Sequence, residues 1–356
     1  MTITTCMNDA IRRIFRTAIL SSRLNVKELR FLSQAVKSQE AAAKRRLQAD
    51  VGGIVVPPFL IASISTRCNL HCAGCYARAN HTCLDEPAKE ELRAGRWKEL
   101  FEEAASLGVS FVLLAGGEPL ERPDVLEEAA GIPELIYPVF TNGTLFSETM
   151  LKRFDRHRNL VPVISMEGGR DQTDRRRGSG TFDTVLKCME DLTRLGIFFG
   201  VSITVTKENL NTVTDPAFIA KLKKAGCRLI LFVEYVPADG NAEPALEEEE
   251  RRILGARRGE LEALFPPMIF LAFPGDEAKM GGCLAAGRGF FHLNAFGDAE
   301  PCPFSPYSDT NLKTGTLRDA LTSDLFYKIR ESNLQSASSV GGCALFSRKA
   351  EIEELL

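Results

Sequence analysis

Six short apolar runs rich in β-branched residues recur at Phe59–Ser65, Ser110–Ala115, Ile136–Thr141, Leu160–Met166, Phe198–Val205 and Arg228–Val236. Amphipathic helical stretches separate them, near 96–107, 122–130, 147–158, 181–195 and 214–225. This alternation constrains the fold more than any other feature. Near-continuous apolar strands are buried on both faces, and strands joined through helices run parallel. Six such units, rather than eight, predict an α/β fold built on an open, partial (β/α)6 TIM-like barrel. Barrels of this kind place their reactive residues at the C-terminal ends of the strands.

The rest of the chain reads as appendages to that barrel. Residues 1–52 are helical and basic, with ten Lys and Arg against four acids in the first fifty. Ile11, Ile14, Phe15, Ala18 and Ile19 form an amphipathic stripe, and Asn25 caps a second helix from Val26 through Arg46. These helices are expected to cap the main domain, with a basic face available to a partner or a membrane surface. The core then runs over 53–240, an acidic helical connector over 241–270, and a small hairpin-and-helix extension over 271–356. A net charge of −3 offers no global attraction to nucleic acid or anionic lipid. No apolar run approaches a transmembrane span, and no signal peptide precedes the core, so a cytoplasmic location is expected.

Ten cysteines in such a chain argue for metal rather than disulfides. Cys6, Cys83, Cys188 and Cys227 are scattered and read as free thiols. Cys68, Cys72 and Cys75 form a C-x3-C-x2-C loop directly after the first strand. Soft thiolates select iron–sulfur clusters, zinc or Cu(I). Three local cysteines would leave one iron of a four-iron cluster without a protein ligand. Zinc remains an alternative, with Cys83, His71 or His81 as the nearby fourth donor.

The other strand ends are also marked. Gly116-Gly117-Glu118-Pro119 follows the second strand, where two glycines permit close backbone approach. Thr141-Asn142-Gly143-Thr144 ends the third. At the fourth, Ser165 and Glu167 share a face. Arg175-Arg176-Arg177 follows in a polar loop, and a planar guanidinium suits carboxylate capture. Ser202 and Thr204 come from the fifth strand, and Glu234, Tyr235, Val236 and Pro237 from the mouth of the sixth.

A second cysteine group lies in the extension, where Cys283 and Cys302 flank Gly297 as C-x13-G-x4-C. The segment Phe290–Phe296 followed by Gly297-Asp298 reads as strand–turn–strand, which brings the two cysteines together. Leu317–Arg330 reads as one helix, after which Gly341-Gly342-Cys343 returns a third thiolate. The fourth donor is missing from its place. His292, Asp298 or a stray cysteine could supply it, one iron could stay open to substrate or water, or the site could hold zinc as Cys3His.

From the cysteine loop with Tyr76 directly behind it, through GGEP and the Arg177-Gly178 pair, residues 59–346 resemble the radical S-adenosylmethionine (radical SAM) superfamily. The resemblance implies a 4Fe-4S cluster on Cys68, Cys72 and Cys75, with SAM chelated to the open iron. It implies SAM contacts from Tyr76, Gly116, Gly117, Glu118, Pro119, Asn142, Ser165, Glu167 and Arg177, with Val236 near the adenine. Cys283, Cys302 and Cys343 resemble the twitch form of the twitch/SPASM auxiliary extension, implying a second iron–sulfur cluster. The activity implied is reductive cleavage of SAM to a 5′-deoxyadenosyl radical that takes hydrogen from the substrate, with a reductase such as flavodoxin or ferredoxin as electron donor. A small metabolite or cofactor precursor, oxidised or rearranged, is the favoured substrate, and a peptide is the alternative. A non-catalytic iron–sulfur or zinc scaffold is the competing class.

Overall fold

The computed structural model describes residues 2–22, 25–86, 89–275, 277–332, 334 and 343–356. Strands β1 (Phe59–Ser65), β2 (Phe111–Gly116), β3 (Tyr137–Thr141), β4 (Leu160–Met166), β5 (Gly200–Val205) and β6 (Leu229–Glu234) coincide with the six apolar runs. The intervening helices fall within a few residues of their expected positions, from Ala94–Leu107 to Pro216–Lys224. Neighbouring strands from β1 to β6 are all parallel. Leu60, Ala62 and Ile64 of β1 are fully buried in one cluster with Trp97, Leu100 and Phe101 of the first barrel helix. Alternate residues Phe59 and Ile61 line the barrel interior instead. The result is an open, mostly parallel α/β sheet of the partial-barrel type.

Two features extend the sheet beyond six units. β7 (Ile269–Phe273) adds parallel to β6 after the acidic helix Glu248–Leu264. At the opposite edge, β8 (His292–Leu293) pairs parallel with β1, and β9 (Ala299–Glu300) folds back antiparallel, giving the order β7-β6-β5-β4-β3-β2-β1-β8-β9. The hairpin is therefore part of the main sheet. Gly297, at φ +92°, makes its turn. A buried chain locks it to β1: Ser63 Oγ lies 2.7 Å from His292 Nε2, and His292 Nδ1 lies 2.7 Å from Glu300 Oε2.

Helix α1 (Ile3–Ser21) covers the bottom of the barrel. Its Ile11, Phe15 and Ala18 cluster with Phe59, Phe111, Leu229 and Ile269, the first residues of β1, β2, β6 and β7. Helix α2 (Val26–Val51) runs from Asn25, whose side chain accepts the Glu28 amide at 3.0 Å, and continues five residues beyond the expected end. Arg46 on α2, 1% exposed, donates to Asn8 of α1, to Ser110 Oγ at 2.7 Å and to the Gly108 carbonyl. Glu28 pairs with buried Arg158 at 2.6 Å. The single helix expected over Leu317–Arg330 is two, Leu317–Leu321 and Asp324–Glu331. Ser323 breaks the run by capping the second, accepting from the Phe326 amide. Gly341 and Gly342 lie outside the described residues. No helix among those described is long and apolar enough to cross a membrane.

Candidate functional site

The loop after β1 carries Cys68, Cys72 and Cys75 over the top of the barrel, and two neighbouring strand ends grip it. Gly117 N donates to Ser65 O and Glu118 N donates to Arg67 O, each at 2.7 Å. A Cβ on Gly117 would sit 2.0 Å from the Arg67 carbonyl, and one on Gly116 would sit 2.4 Å from that of Ser65. Both glycines are thus required by backbone-to-backbone contact with the cysteine loop, and Gly116 also holds φ at +123°. Glu118 turns its carboxylate the other way. Buried, it accepts from Thr141 Oγ1 at 2.7 Å, the Asn142 amide at 2.8 Å and the Leu120 amide at 3.0 Å. Burial pushes this carboxyl up to about 7, against the pull of those three donors. Asn142 in turn donates to Asn69 at 2.9 Å and lies 3.9 Å from Cys68 Sγ. Pro119 is buried at the start of a short 3-10 turn.

On the other side, Arg170–Arg177 is a helix where the sequence suggested a loop. Arg176 donates to Ala73 O at 3.1 Å and accepts the Ala73 amide on its carbonyl at 2.9 Å. Arg176 and Arg177 both bind Glu167 Oε1 at 2.6 Å, and Thr204 N donates to Glu167 Oε2 at 3.2 Å. The sequence reading placed Glu167 and Arg177 separately on SAM; the structure joins them to each other. A further Arg177 nitrogen remains 4.0 Å from Cys72 Sγ. Arg176 and Asn69 carry no sequence signal beyond their neighbours, because their contacts are tertiary.

The donor set fits an iron–sulfur cluster. Cys68 is neutralised by burial, which pushes its thiol up to about 11, with Glu118 and the other two thiols adding to the effect. Such a site gains its thiolates only together with a cation. Among the described residues, no three His, Cys, Asp or Glu side chains converge tightly enough for a single metal ion. A cluster differs, since it spreads its thiolates over separate irons.

A cavity of about 1330 Å³ opens beneath and beside this loop. The three cysteines, Tyr76, Gly116, Gly117, Glu118, Asn142, Ser165 and Arg177 all border it, whereas Pro119 and Glu167 do not. Its deep walls are apolar: Phe59, Ile61, Leu113, Phe140, Val161, Leu231 and Leu271, with Phe15 of α1 in the floor. Glu234 borders it as well, 3% exposed, with Oε2 unpartnered and its carboxyl pushed up to about 7 by burial.

Residues 62–215 match the family model described as the radical SAM superfamily. Residues 62–215 are thus similar to a radical SAM domain. The domain implies a SAM-ligating 4Fe-4S cluster and SAM binding, and the cysteine loop lies inside it. The chain is 31% identical over 204 residues to Fe-coproporphyrin III synthase of Methanosarcina barkeri, covering 55% of this chain and 50% of that one. It thus spans half the length of that relative. It is 28% identical to AdoMet-dependent heme synthase of the same organism, over 77% of this chain and 85% of the relative. The fold is also that of SuiB from Streptococcus suis, solved with precursor peptide SuiA bound. That likeness has a TM-score of 0.65 at 16% identity, over 86% of this chain and 72% of SuiB.

The second cysteine group also assembles. Cys283, Cys302 and Cys343 are all buried. Burial holds the Cys302 thiol high, and its proximity lowers that of Cys343. His292 is no candidate for the missing donor, because Ser63 and Glu300 occupy both ring nitrogens. Asp298 is engaged by Asn311 at 2.7 Å and Asn294 at 3.1 Å. Tyr76 lies between the two groups, electrostatically close to Cys75 and Cys302, with its ring edge-on to Phe304 at 5.2 Å.

Proposed function

We propose that the chain is a radical SAM enzyme acting on a bulky, largely apolar metabolite or cofactor precursor of tetrapyrrole size, with a second iron–sulfur cluster on Cys283, Cys302 and Cys343. The observation that carries this reading is the apolar chamber. At about 1330 Å³ it exceeds the roughly 300–1,000 Å³ of an ordinary small-molecule pocket. It therefore has room for a second large ligand beside SAM. The two relatives named for porphyrin and heme synthesis support the same class.

Cys68, Cys72 and Cys75 would hold the first cluster, and the residues bordering the chamber beside them would bind SAM. When bound, the cluster and SAM supply the one-electron chemistry that activates an inert C–H bond. The chain's own part is positioning. Gly116, Gly117 and Asn142 fix the cysteine loop from one side and Arg176 from the other, while Glu118 and Glu167 hold those braces from behind. Phe15 and the apolar walls exclude water from the reacting carbon. Cys283, Cys302 and Cys343 would hold a second cluster that would supply a further one-electron site, with a flavodoxin- or ferredoxin-like reductase as the external electron source. A peptide substrate is the second reading, favoured by the fold shared with SuiB.

The test is anaerobic reconstitution followed by iron and sulfide analysis, SAM cleavage and ligand titration. About eight irons per chain are expected, falling to about four in Cys68→Ala/Cys72→Ala/Cys75→Ala. Dithionite and SAM should yield 5′-deoxyadenosine, which a scaffold protein would not make. Iron coproporphyrin III should bind with a visible absorption change and raise that yield. No porphyrin binding, with stimulation by peptide instead, would overturn the substrate class.

A further inference from the structure

Resting on the second-cluster reading, one side chain stands where the missing donor is needed. Glu277 opens the turn Glu277–Met280, six positions ahead of Cys283, and is 7% exposed. Its Oε1 accepts the amide of Leu284, the residue after Cys283, at 3.2 Å. Cys283 and Cys343 both lie in the electrostatic neighbourhood of the same carboxylate.

The alternatives are committed elsewhere. His292 and Asp298 have their partners, and Glu300 gives Oε2 to His292 and Oε1 to Asn294 at 2.7 Å each. Cys83 neighbours Cys68 and Cys75, on the side of the first group. Glu277 borders the chamber, whereas Cys283, Cys302 and Cys343 do not.

We propose that Glu277 is the fourth protein ligand of the auxiliary cluster, giving a Cys3Glu donor set whose carboxylate-bound iron is the one reached from the substrate chamber. An oxygen ligand is harder than thiolate and is exchanged more readily at a soft site. The cluster would then have one iron that a substrate group could claim by displacing a side chain from the chamber wall.

The experiment uses full-length chain carrying Cys68→Ala/Cys72→Ala/Cys75→Ala, so that only the second site loads, with anaerobic iron analysis, EPR and redox titration as readouts. Adding Glu277→Ala should lower iron from about four to about three per chain and produce the EPR signal of a three-iron cluster. Adding Glu277→Cys should restore about four irons and shift the reduction potential downward, as a soft thiolate donates more electron density to iron than a carboxylate of the same charge. Glu277→Ala in the chain with Cys68, Cys72 and Cys75 intact should still load the first cluster, which controls for folding. Four irons with an unchanged spectrum and potential after Glu277→Ala would overturn the assignment and leave the auxiliary cluster standing. No iron in the triple-alanine chain would overturn the cluster reading and the assignment with it.

Discussion

At the scale of single residues, the site is held by groups that could not be exchanged for look-alikes. The GGEP turn shows why. Its glycines serve the fit of one loop against another, and its glutamate ties the second strand end to the third. Glu234 is a different case, a buried carboxyl with one oxygen lacking a partner and its pKa raised from 4.5 to about 7. The folded chain keeps a proton there that the unfolded chain releases above its ordinary value. The contribution to stability is therefore full below pH 4.5 and is lost as pH rises toward 7, by roughly 3 kcal/mol at most. Glu234→Gln should remove that slope, which urea unfolding of the metal-free protein at pH 5 and pH 8 would show as a gain confined to the higher pH. An equal change at both values would mean that Glu234 is already ionised in the folded chain.

At the scale of elements, the strands were legible because each is a buried apolar run, and the helices because their stripes recur every three to four residues. β7 was not, since Ile269–Phe273 follows two prolines and an acidic helix and has no alternation to mark it. Arg170–Arg177 escaped for a related reason: only Thr173 in it is buried, so the sequence carries no apolar stripe. Of the candidate site, the cysteines and strand-end motifs could be read directly. The Ser63–His292–Glu300 chain could not, since it joins residues more than two hundred positions apart, and the Glu167–Arg177 pairing depends on the turn into a helix that the sequence does not mark. The α1 stripe was legible as a stripe, but its place under the barrel was not. The attachment of α2 can be tested through its buried ion pair. Glu28→Ala leaves the Arg158 guanidinium with Asp155 as its remaining carboxylate and should cost roughly 1–3 kcal/mol, read as a lower unfolding midpoint. A loss below 1 kcal/mol would mean that solvent reaches Arg158.

At the scale of the whole molecule, the sheet, the helix beneath it and the cysteine loop above it enclose one space. The apolar walls of that space come from alternate residues of the strands, so filling it should leave the helix-facing core intact. On the proposed porphyrin reading, Leu231→Trp should therefore weaken iron coproporphyrin III binding at least tenfold in titration while leaving iron content and SAM binding unchanged. Unchanged porphyrin affinity would place that ligand elsewhere.

The attachment of β8 to β1 has a consequence for how the chain comes into being. Ile61 finds its partner at His292, so the strand that leads into the first cysteine loop waits for more than two hundred residues of synthesis before that edge is covered. Pairings this distant in sequence form late and slowly. The nascent chain thus exposes an apolar strand edge beside the thiols of its cysteine loop until the tail arrives.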